Sequence, residues 1–458
     1  MNSILSKVDR TYFIETFGCQ QNENDSEILA GHLEQLGYLP CGSPEEADVV
    51  LLNTCSVREH ADDRFFGHLG RLKTIKQEKP DMFIGVGGCI LMQPQNQQKI
   101  LESFPFVDLI FGTADLGRFP DLFFGAADAR KTYLAVGPAE GIERQLPVVR
   151  KKAHRALVSI MYGCNNFCTY CIVPHTRGRE RSRPKADVMQ EIRDAANAGY
   201  KEILLLGQNV NAYGKDRNYE DGDFADLLAD AARVPGLFVV RFMTSHPKDV
   251  SARLIETIGR EMTVEPHFHL PLQSGSDAIL KKMNRHYTSA QYIAIAEKLR
   301  QARPGLTLTT DIIVGFPGET EADFAKTMSL IETVKFDSAF TFIYSPREGT
   351  PAAAWDNHID KPTLNRRYQA LTDLQYALSR QSNERLIGQT VKVLITGPSE
   401  SDASVLSGRT ADNRLVLIPL PETSLQADNA ETRYTNTVVS AVIRSAGSFS
   451  VEGSLVDP

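Results

Sequence analysis

Cys164-Asn165-Asn166-Phe167-Cys168-Thr169-Tyr170-Cys171 decides how this chain is read. The spacing is C-x3-C-x2-C. Three thiolates on one short loop can ligate three irons of a four-iron cubane and leave the fourth without a protein ligand. An open iron is a place where a small molecule can bind and be reduced. A structural zinc site is the alternative. It takes four ligands, and His175 is the nearest further candidate. The loop follows a β-rich run, residues 156–161, so it is expected at the carboxyl end of a strand, where barrel folds place their sites.

Outward from this loop, strand-like and helix-like runs alternate. Strands are expected at residues 156–161, 202–206, 237–243, 266–270, 306–314 and 338–344. A helix is expected at 187–198, where Val188, Met189, Ile192, Ala195 and Ala196 recur at helical spacing and Gly199 stops the run. Another is expected at 319–334. Six such units imply a partial (β/α) barrel with right-handed crossovers, closed by a helical run at 361–386. Upstream, runs at 12–16, 49–53, 83–86 and 107–111 alternate with helical stretches such as 25–36, the pattern of an α/β domain with a parallel sheet. Residues 134–152 read as a linker, with Gly137, Pro138, Gly141 and Pro147 before basic Arg150, Lys151 and Lys152. Beyond Gly388 come short strands at 389–395, 414–418, 438–443 and 448–456, with turns at Gly397, Pro398, Pro419 and Pro421. They suggest a small antiparallel β-barrel. The expected domains are 9–130, 150–386 and 387–456.

The 458 residues are 42% hydrophobic and 23% charged, as in soluble globular proteins. No window approaches the ~20 apolar residues of a membrane helix, and residues 1–10 hold no apolar signal segment. The expectation is a cytoplasmic protein without a membrane partner. In a reducing compartment, cysteines serve as metal ligands or catalytic groups more often than as disulfides. All seven lie at or before position 171, which leaves most of the chain without a possible staple. The net charge of −7 means that nucleic acid would need a local basic patch.

Cys19, Cys55 and Cys89 each follow an expected strand and precede a helical stretch. The carboxyl ends of parallel strands share one edge, so these three distant thiols are expected to converge into a second three-cysteine site. Three buried core cysteines are the competing reading. Cys41 sits in the turn Leu39-Pro40-Cys41-Gly42 and reads as a spare thiol.

C-x3-C-x-aromatic-C, with Tyr170 as the aromatic, resembles the signature of the radical S-adenosylmethionine superfamily. The whole arrangement resembles the methylthiotransferases, and the resemblance covers nearly the entire chain. It rests on Gly18-Cys19-Gln20-Gln21-Asn22, Asn53-Thr54-Cys55-Ser56-Val57-Arg58-Glu59 and Gly87-Gly88-Cys89. It also rests on the run Arg177 to Arg183, on Gly207-Gln208-Asn209-Val210-Asn211-Ala212-Tyr213-Gly214, and on Thr244-Ser245-His246-Pro247. Leu270 to Asp277 and Asp311 to Thr320 complete the set. His175 departs from it, where tyrosine is expected.

The resemblance implies two [4Fe-4S] clusters and S-adenosyl-L-methionine as cofactors, with the six cysteines Cys19, Cys55, Cys89, Cys164, Cys168 and Cys171 as ligands and catalytic groups. It implies that the open iron chelates the cofactor, whose reductive cleavage gives a 5′-deoxyadenosyl radical. The N-terminal cluster would hold the sulfur, methylated by a first cofactor molecule. Within the family, the Gln208–Tyr213 and Cys55–Glu59 stretches are most similar to the enzymes that place a methylthio group on adenine C2 of isopentenylated adenosine beside the tRNA anticodon. Related substrates are threonylcarbamoyladenosine in tRNA and an aspartate of a ribosomal protein. A non-catalytic iron–sulfur carrier is the rival from another class. The implied partners are tRNA and an electron donor such as flavodoxin or ferredoxin, and the expected state is a monomer.

Tyr170, Gln208, Asn209, Ser245, Gln273, Gly315 and Glu319 are the cofactor-binding candidates. Apart from Tyr170, each follows an expected barrel strand, as do His246, Ser274, Ser345 and Arg347. Their side chains suit hydrogen bonds to ribose, carboxylate and adenine. Ordinary loop polarity or capping would also account for any one of them, and Glu319 would favour the positive end of its helix. His246, His267 and His269 are each a structural histidine by default. Arg177, Arg179, Arg181 and Arg183, with Lys185, form a basic cluster expected to contact RNA phosphates. The alternative is a solvated loop or a salt bridge to Glu180. The C-terminal barrel resembles the TRAM RNA-binding module, with Gly408, Arg409, Thr410 and Arg414 as its best contacts.

Overall fold

The computed structural model describes residues 10–55, 59–129, 131–137, 145–420 and 434–456. Ser56, Val57 and Arg58 of the second cysteine motif, Pro138 and Gly141 of the expected linker, and the turn residue Pro421 lie outside the described residues. The chain forms two compact units. The first comprises Met1–Lys151, Met161–Asn165 and Ile172–Arg183. The second comprises Lys152–Ile160, Asn166–Cys171 and Pro184–Pro458.

The first unit is built on a parallel sheet of six strands. They are β1 (Arg10–Phe17), β2 (Tyr38–Pro40), β3 (Val49–Thr54), β4 (Phe83–Gly88), β5 (Leu109–Phe111) and β6 (Tyr133–Ala135), in the order β2-β1-β3-β4-β5-β6. The run at 49–53 is apolar without alternation because both faces of the sheet are covered. Val49 and Leu51 pack with Leu29, Leu33 and Phe119, while Val50 and Leu52 pack with Phe65, Leu69 and Ile84. β2 and β6 were not expected; three residues each are too few to show a period. β6 overlaps the stretch read as a linker, and Val149 and Lys151 at the end of that stretch are tied down as well. Val149 N–H donates to the Glu27 carbonyl at 2.9 Å, and Lys151 N–H to Glu27 Oε1 at 3.0 Å. Glu27 is buried, so its carboxylate needs such partners.

The second unit begins with β7 (Arg155–Ser159). β8 (Met161–Tyr162) and β9 (Arg181–Ser182) form a short antiparallel pair that belongs to the first unit. β10 (Glu202–Leu206) and β11 (Val239–Phe242) join β7 in one parallel sheet. β12 (His267–His269), β13 (Thr307–Val314) and β14 (Ser338–Ile343) make another. A parallel bridge from Val240 to Val264 sets the two side by side. Six parallel strands thus follow one another in chain order, the expected partial (β/α) barrel. The helix Lys185–Asn197 ends at Gly199, whose φ of +94° lets Tyr200 N–H reach back to Ala195 O at 3.2 Å. The helix Lys361–Glu384 follows the last strand.

The C-terminal strands β15 (Thr390–Pro398), β16 (Val405–Thr410), β17 (Leu415–Pro419), β18 (Val438–Ala446) and β19 (Ser450–Leu455) close in the order β15-β16-β17-β19-β18. Val393, Ile395, Leu406, Val416, Ile418, Ile443 and Val451 fill the interior. Two expectations are corrected. β16 was not foreseen, and the barrel is not wholly antiparallel, since β17 and β19 pair in parallel. Five strands in a closed ring cannot all alternate in direction, so one pair must run parallel.

Arg241, on β11, joins the two barrels of the second unit. Its guanidinium reaches Glu202 at 2.8 Å and Glu265 at 3.1 Å, and donates to the carbonyls of Thr410 (2.7 Å) and Ala411 (2.8 Å). Arg241 and both glutamates are buried. Arg241→Ala would strand two buried carboxylates, and breaking such pairs costs about 3–5 kcal/mol. Denaturant titration should show that loss, with Glu202→Gln partly restoring the Arg241→Ala variant. The same junction engages two of the expected RNA contacts of the small barrel. Arg414 is held by Asp337 (3.1 Å) and Asp412 (2.8 Å), and Arg409 donates to Asn413 O at 2.8 Å. Among the described residues, no helix is long and apolar enough to cross a membrane.

Candidate active site

Sheet register brings the first three thiols together. Phe17 pairs with Thr54, and Thr54 with Gly88. Cys55 and Cys89 come immediately after their strands, and Cys19 two residues after Phe17. Neighbouring strands lie about 4.8 Å apart, so the three cysteines share one edge. Two glycines permit the approach. A Cβ on Gly18 would lie 2.9 Å from the Cys55 Cβ, and one on Gly88, at φ +106°, 2.2 Å from the Thr54 carbonyl. Asn22 links the loops: its amide donates to Thr54 O at 3.1 Å and accepts from the Cys19 thiol at 3.3 Å. Cys55 and Cys89 are buried and Cys19 is exposed, which is not the pattern of three core cysteines. Cys41 lies apart, its thiol donating to Tyr12 O at 3.3 Å in the first half of β1.

Arg177 completes this edge. It is buried, and its guanidinium meets Asp25 at 2.8 Å. Burial opposes its charge, but Asp25, Cys89 and Cys19 outweigh it and hold the guanidinium firmly protonated. A hydrogen bond from Cys55 lowers the Cys19 thiol to about 6, with burial opposing and Arg177 assisting. Burial raises the Cys89 thiol despite Arg177. The expected phosphate contact at Arg177 is therefore corrected: its charge is spent inside the protein. Arg183 is also buried, and Arg181 is half-buried, so only Arg179 of the four arginines presents an exposed side chain. Glu180 binds Asn165 N–H at 3.1 Å. Sequence reasoning missed Asp25, and it placed Asn22 in a family motif without assigning it a role.

In the second unit, the loop carrying Cys168 and Cys171 is clamped by a turn at residues 283–285. Asn284 donates to the carbonyls of Asn166 (3.2 Å) and Phe167 (3.0 Å), and Thr169 N–H to Met283 O at 3.1 Å. Arg285, fully buried, donates to Cys168 Sγ at 3.4 Å, Tyr287 Oη at 3.1 Å and Pro271 O at 3.0 Å. Tyr170 packs against Phe316, Met283 and Tyr344. Arg285 and Asn284 also went unnoticed in the sequence, since they lie more than a hundred positions from the cysteines they serve.

The other cofactor candidates separate into two kinds. Asn209 Oδ1, Ser245 Oγ and His246 Nε2 are buried at the carboxyl ends of β10 and β11 without a hydrogen-bond partner, as are Asn166 Oδ1 and Tyr344 Oη. His246 Nδ1 accepts from Lys248 N–H at 3.3 Å, and burial keeps the ring neutral, so Nε2 carries the proton and is a donor in waiting. Buried orphans of this density call for a polar ligand. Gly315 and Glu319 are of the second kind. Glu319 Oε2 takes the Gly315 N–H at 2.9 Å and Arg367 at 2.9 Å, so the carboxylate shapes its own loop and the cofactor contact is corrected. Gln273 continues the sheet, its N–H donating to Asp311 O at 2.8 Å, and Gln208 lies half-buried after β10.

Among the described residues, no three metal-binding side chains crowd closely enough to share one metal ion, the arrangement of a zinc site. A cubane instead takes one thiolate per iron, and each triad offers three. The free thiols, the buried arginine beside each set and the orphaned polar atoms fit iron–sulfur clusters and a small polar cofactor.

Residues 158–331 match the family model described as the Radical SAM superfamily, and residues 11–112 match one described as Uncharacterized protein family UPF0004. Each triad falls inside one of these matches. A tRNA-2-methylthio-N(6)-dimethylallyladenosine synthase from Alkaliphilus oremlandii is 49% identical over 409 residues, 89% of this chain and 87% of that protein. One of the same name from Acetivibrio thermocellus is 44% identical over 98% of this chain and 91% of its own. The chain belongs to the tRNA-2-methylthio-N(6)-dimethylallyladenosine synthase family. Among solved structures, the radical S-adenosylmethionine methyltransferase TsrM from Kitasatospora setae, with cobalamin and a [4Fe-4S] cluster bound, aligns with a TM-score of 0.56. It is 13% identical and covers 76% of this chain and 74% of its own, a likeness of fold. Family membership gives the two triads of this chain a shared context that neither spacing nor register supplies alone.

Proposed function

We propose that this protein replaces the hydrogen on adenine C2 of N6-dimethylallyladenosine, beside the anticodon of tRNA, with a methylthio group. The observation that carries the reading is the relatives' identity of 44–49% over 89–98% of this chain. Two [4Fe-4S] clusters and S-adenosylmethionine are its cofactors. When bound, they supply an electron, a 5′-deoxyadenosyl radical and the sulfur to be transferred.

Cys164, Cys168 and Cys171 hold the radical-generating cluster, and Cys19, Cys55 and Cys89 the sulfur-bearing one. Arg285 donates to Cys168, and Arg177 balances charge among the first three thiols. The His246 Nε2–H, Ser245 hydroxyl and Asn209 carbonyl are placed to orient S-adenosylmethionine. Residues 9–130 carry the sulfur cluster, 150–386 form the radical core, and the small barrel, 387–456, contributes to RNA binding. A reductant is required; a flavodoxin or ferredoxin in the cytoplasm fits that need, and the enzyme acts as a monomer.

The test is nucleoside analysis of tRNA from a strain lacking the gene. Methylthiolated dimethylallyladenosine should vanish, its unthiolated precursor should accumulate, and the wild-type gene should restore it. Loss of methylthiolated threonylcarbamoyladenosine instead, or unchanged tRNA, would reject this substrate.

A further inference from the structure

β13 and β14 carry an aromatic surface that the functions above leave unused. On β13, Leu308, Thr310, Ile312 and Val314 are buried, whereas Thr309, Asp311 and Ile313 are half-buried. Register pairs those three with Ser338, Phe340 and Phe342 of β14. On β14 these partners are exposed, Phe340 by 55% and Phe342 by 50%. Phe340, His267, His269 and Thr309, with Met243 after β11, line one side of a cavity of about 170 Å³ whose other side is formed by residues of the small barrel such as Arg409, Asn413 and Arg414.

Single exposed apolar side chains need no explanation, but two phenylalanines on one strand face do. Covering either half-exposed ring would be favourable. Their edge is polar. His269 meets Phe340 edge-on with centroids 6.0 Å apart, and its Nε2 lies 3.5 Å from Asp311 Oδ1. The surface runs toward the carboxyl end of the barrel strands: Phe342 pairs with Ile313, two residues before Gly315.

We infer that Phe340 and Phe342 are the platform for the target nucleobase, with the purine stacked on one ring and the N6-dimethylallyl group against the other. Asp311 and His269 border it, where a purine edge offers donors and acceptors. The inference rests on the functional reading above and deepens it. A flat aromatic base bearing a five-carbon apolar tail matches two phenyl rings with a polar margin, since every base has a π-face that stacks on an aromatic side chain.

The test is equilibrium binding of two anticodon stem–loops to the cluster-loaded full-length protein. One carries N6-dimethylallyladenosine and the other plain adenosine at the same position. Wild type should prefer the dimethylallyl RNA. Phe340→Ala and Phe342→Ala should each weaken that RNA about tenfold while leaving the plain one nearly unchanged. Phe340→Tyr should retain binding. Iron content and melting temperature equal to wild type establish that the variants are folded. Variants that keep the wild-type preference overturn the platform alone, as do variants that lose both RNAs equally. A wild type that binds the two RNAs alike overturns the substrate reading, and the platform with it.

Discussion

Cys168→Ala is expected to abolish reductive cleavage of S-adenosylmethionine, with 5′-deoxyadenosine falling to the level of a protein-free control. Iron should drop from about eight to about four per chain, because one of two cubanes is lost. Cys168 is buried, and its sulfur receives a hydrogen bond from Arg285 at 3.4 Å. Removing it takes a cluster ligand and also leaves one donor of a buried guanidinium unmade. Cys171→Ala serves as the check, since Cys171 is less buried. Both variants should lose the same product. Iron assay and anaerobic product analysis with dithionite read the outcome, and substantial 5′-deoxyadenosine from either variant would place the radical chemistry elsewhere.

Cys89→Ala should divide the reaction differently. Iron should again fall to about four per chain, yet 5′-deoxyadenosine should still form while methylthio transfer to RNA stops. The reason is spatial organisation within the first unit. Cys19, Cys55 and Cys89 hang from one sheet edge whose register is set by β1, β3 and β4, and the loop carrying Cys168 and Cys171 is clamped by Asn284 and Met283 of the second unit. Cys19→Ala should reproduce the result from an exposed position, where truncation leaves no cavity. If either substitution also halts 5′-deoxyadenosine formation, the two triads do not have separable tasks.

Much of the fold was legible because its signals are local. All six barrel strands and the helices that follow them stand out as apolar runs bounded by glycine, proline and polar turns. The strands that escaped notice, β2, β6, the β8–β9 pair and β16, are short or carry Ser407, Gly408 and Arg409 where a period is hard to see. The arginine cluster shows the opposite limit. Arg177 and Arg179 look alike in sequence, but one is buried against Asp25, 152 positions away, and the other faces solvent.

The sequence by itself determined the C-x3-C-x2-C loop, the six repeated strand–helix units and the two sets of three cysteines. Such features follow from backbone periodicity and from short spacings, which neighbours along the chain enforce. Only the tertiary structure decided that Cys19, Cys55 and Cys89 share an edge with Arg177, that Arg285 reaches Cys168, and that Glu319 spends its carboxylate on its own loop. It also decided which face of β14 is open. Those outcomes depend on register and on burial. A charge removed from water must find its partner wherever the fold has brought one, however far away in the chain.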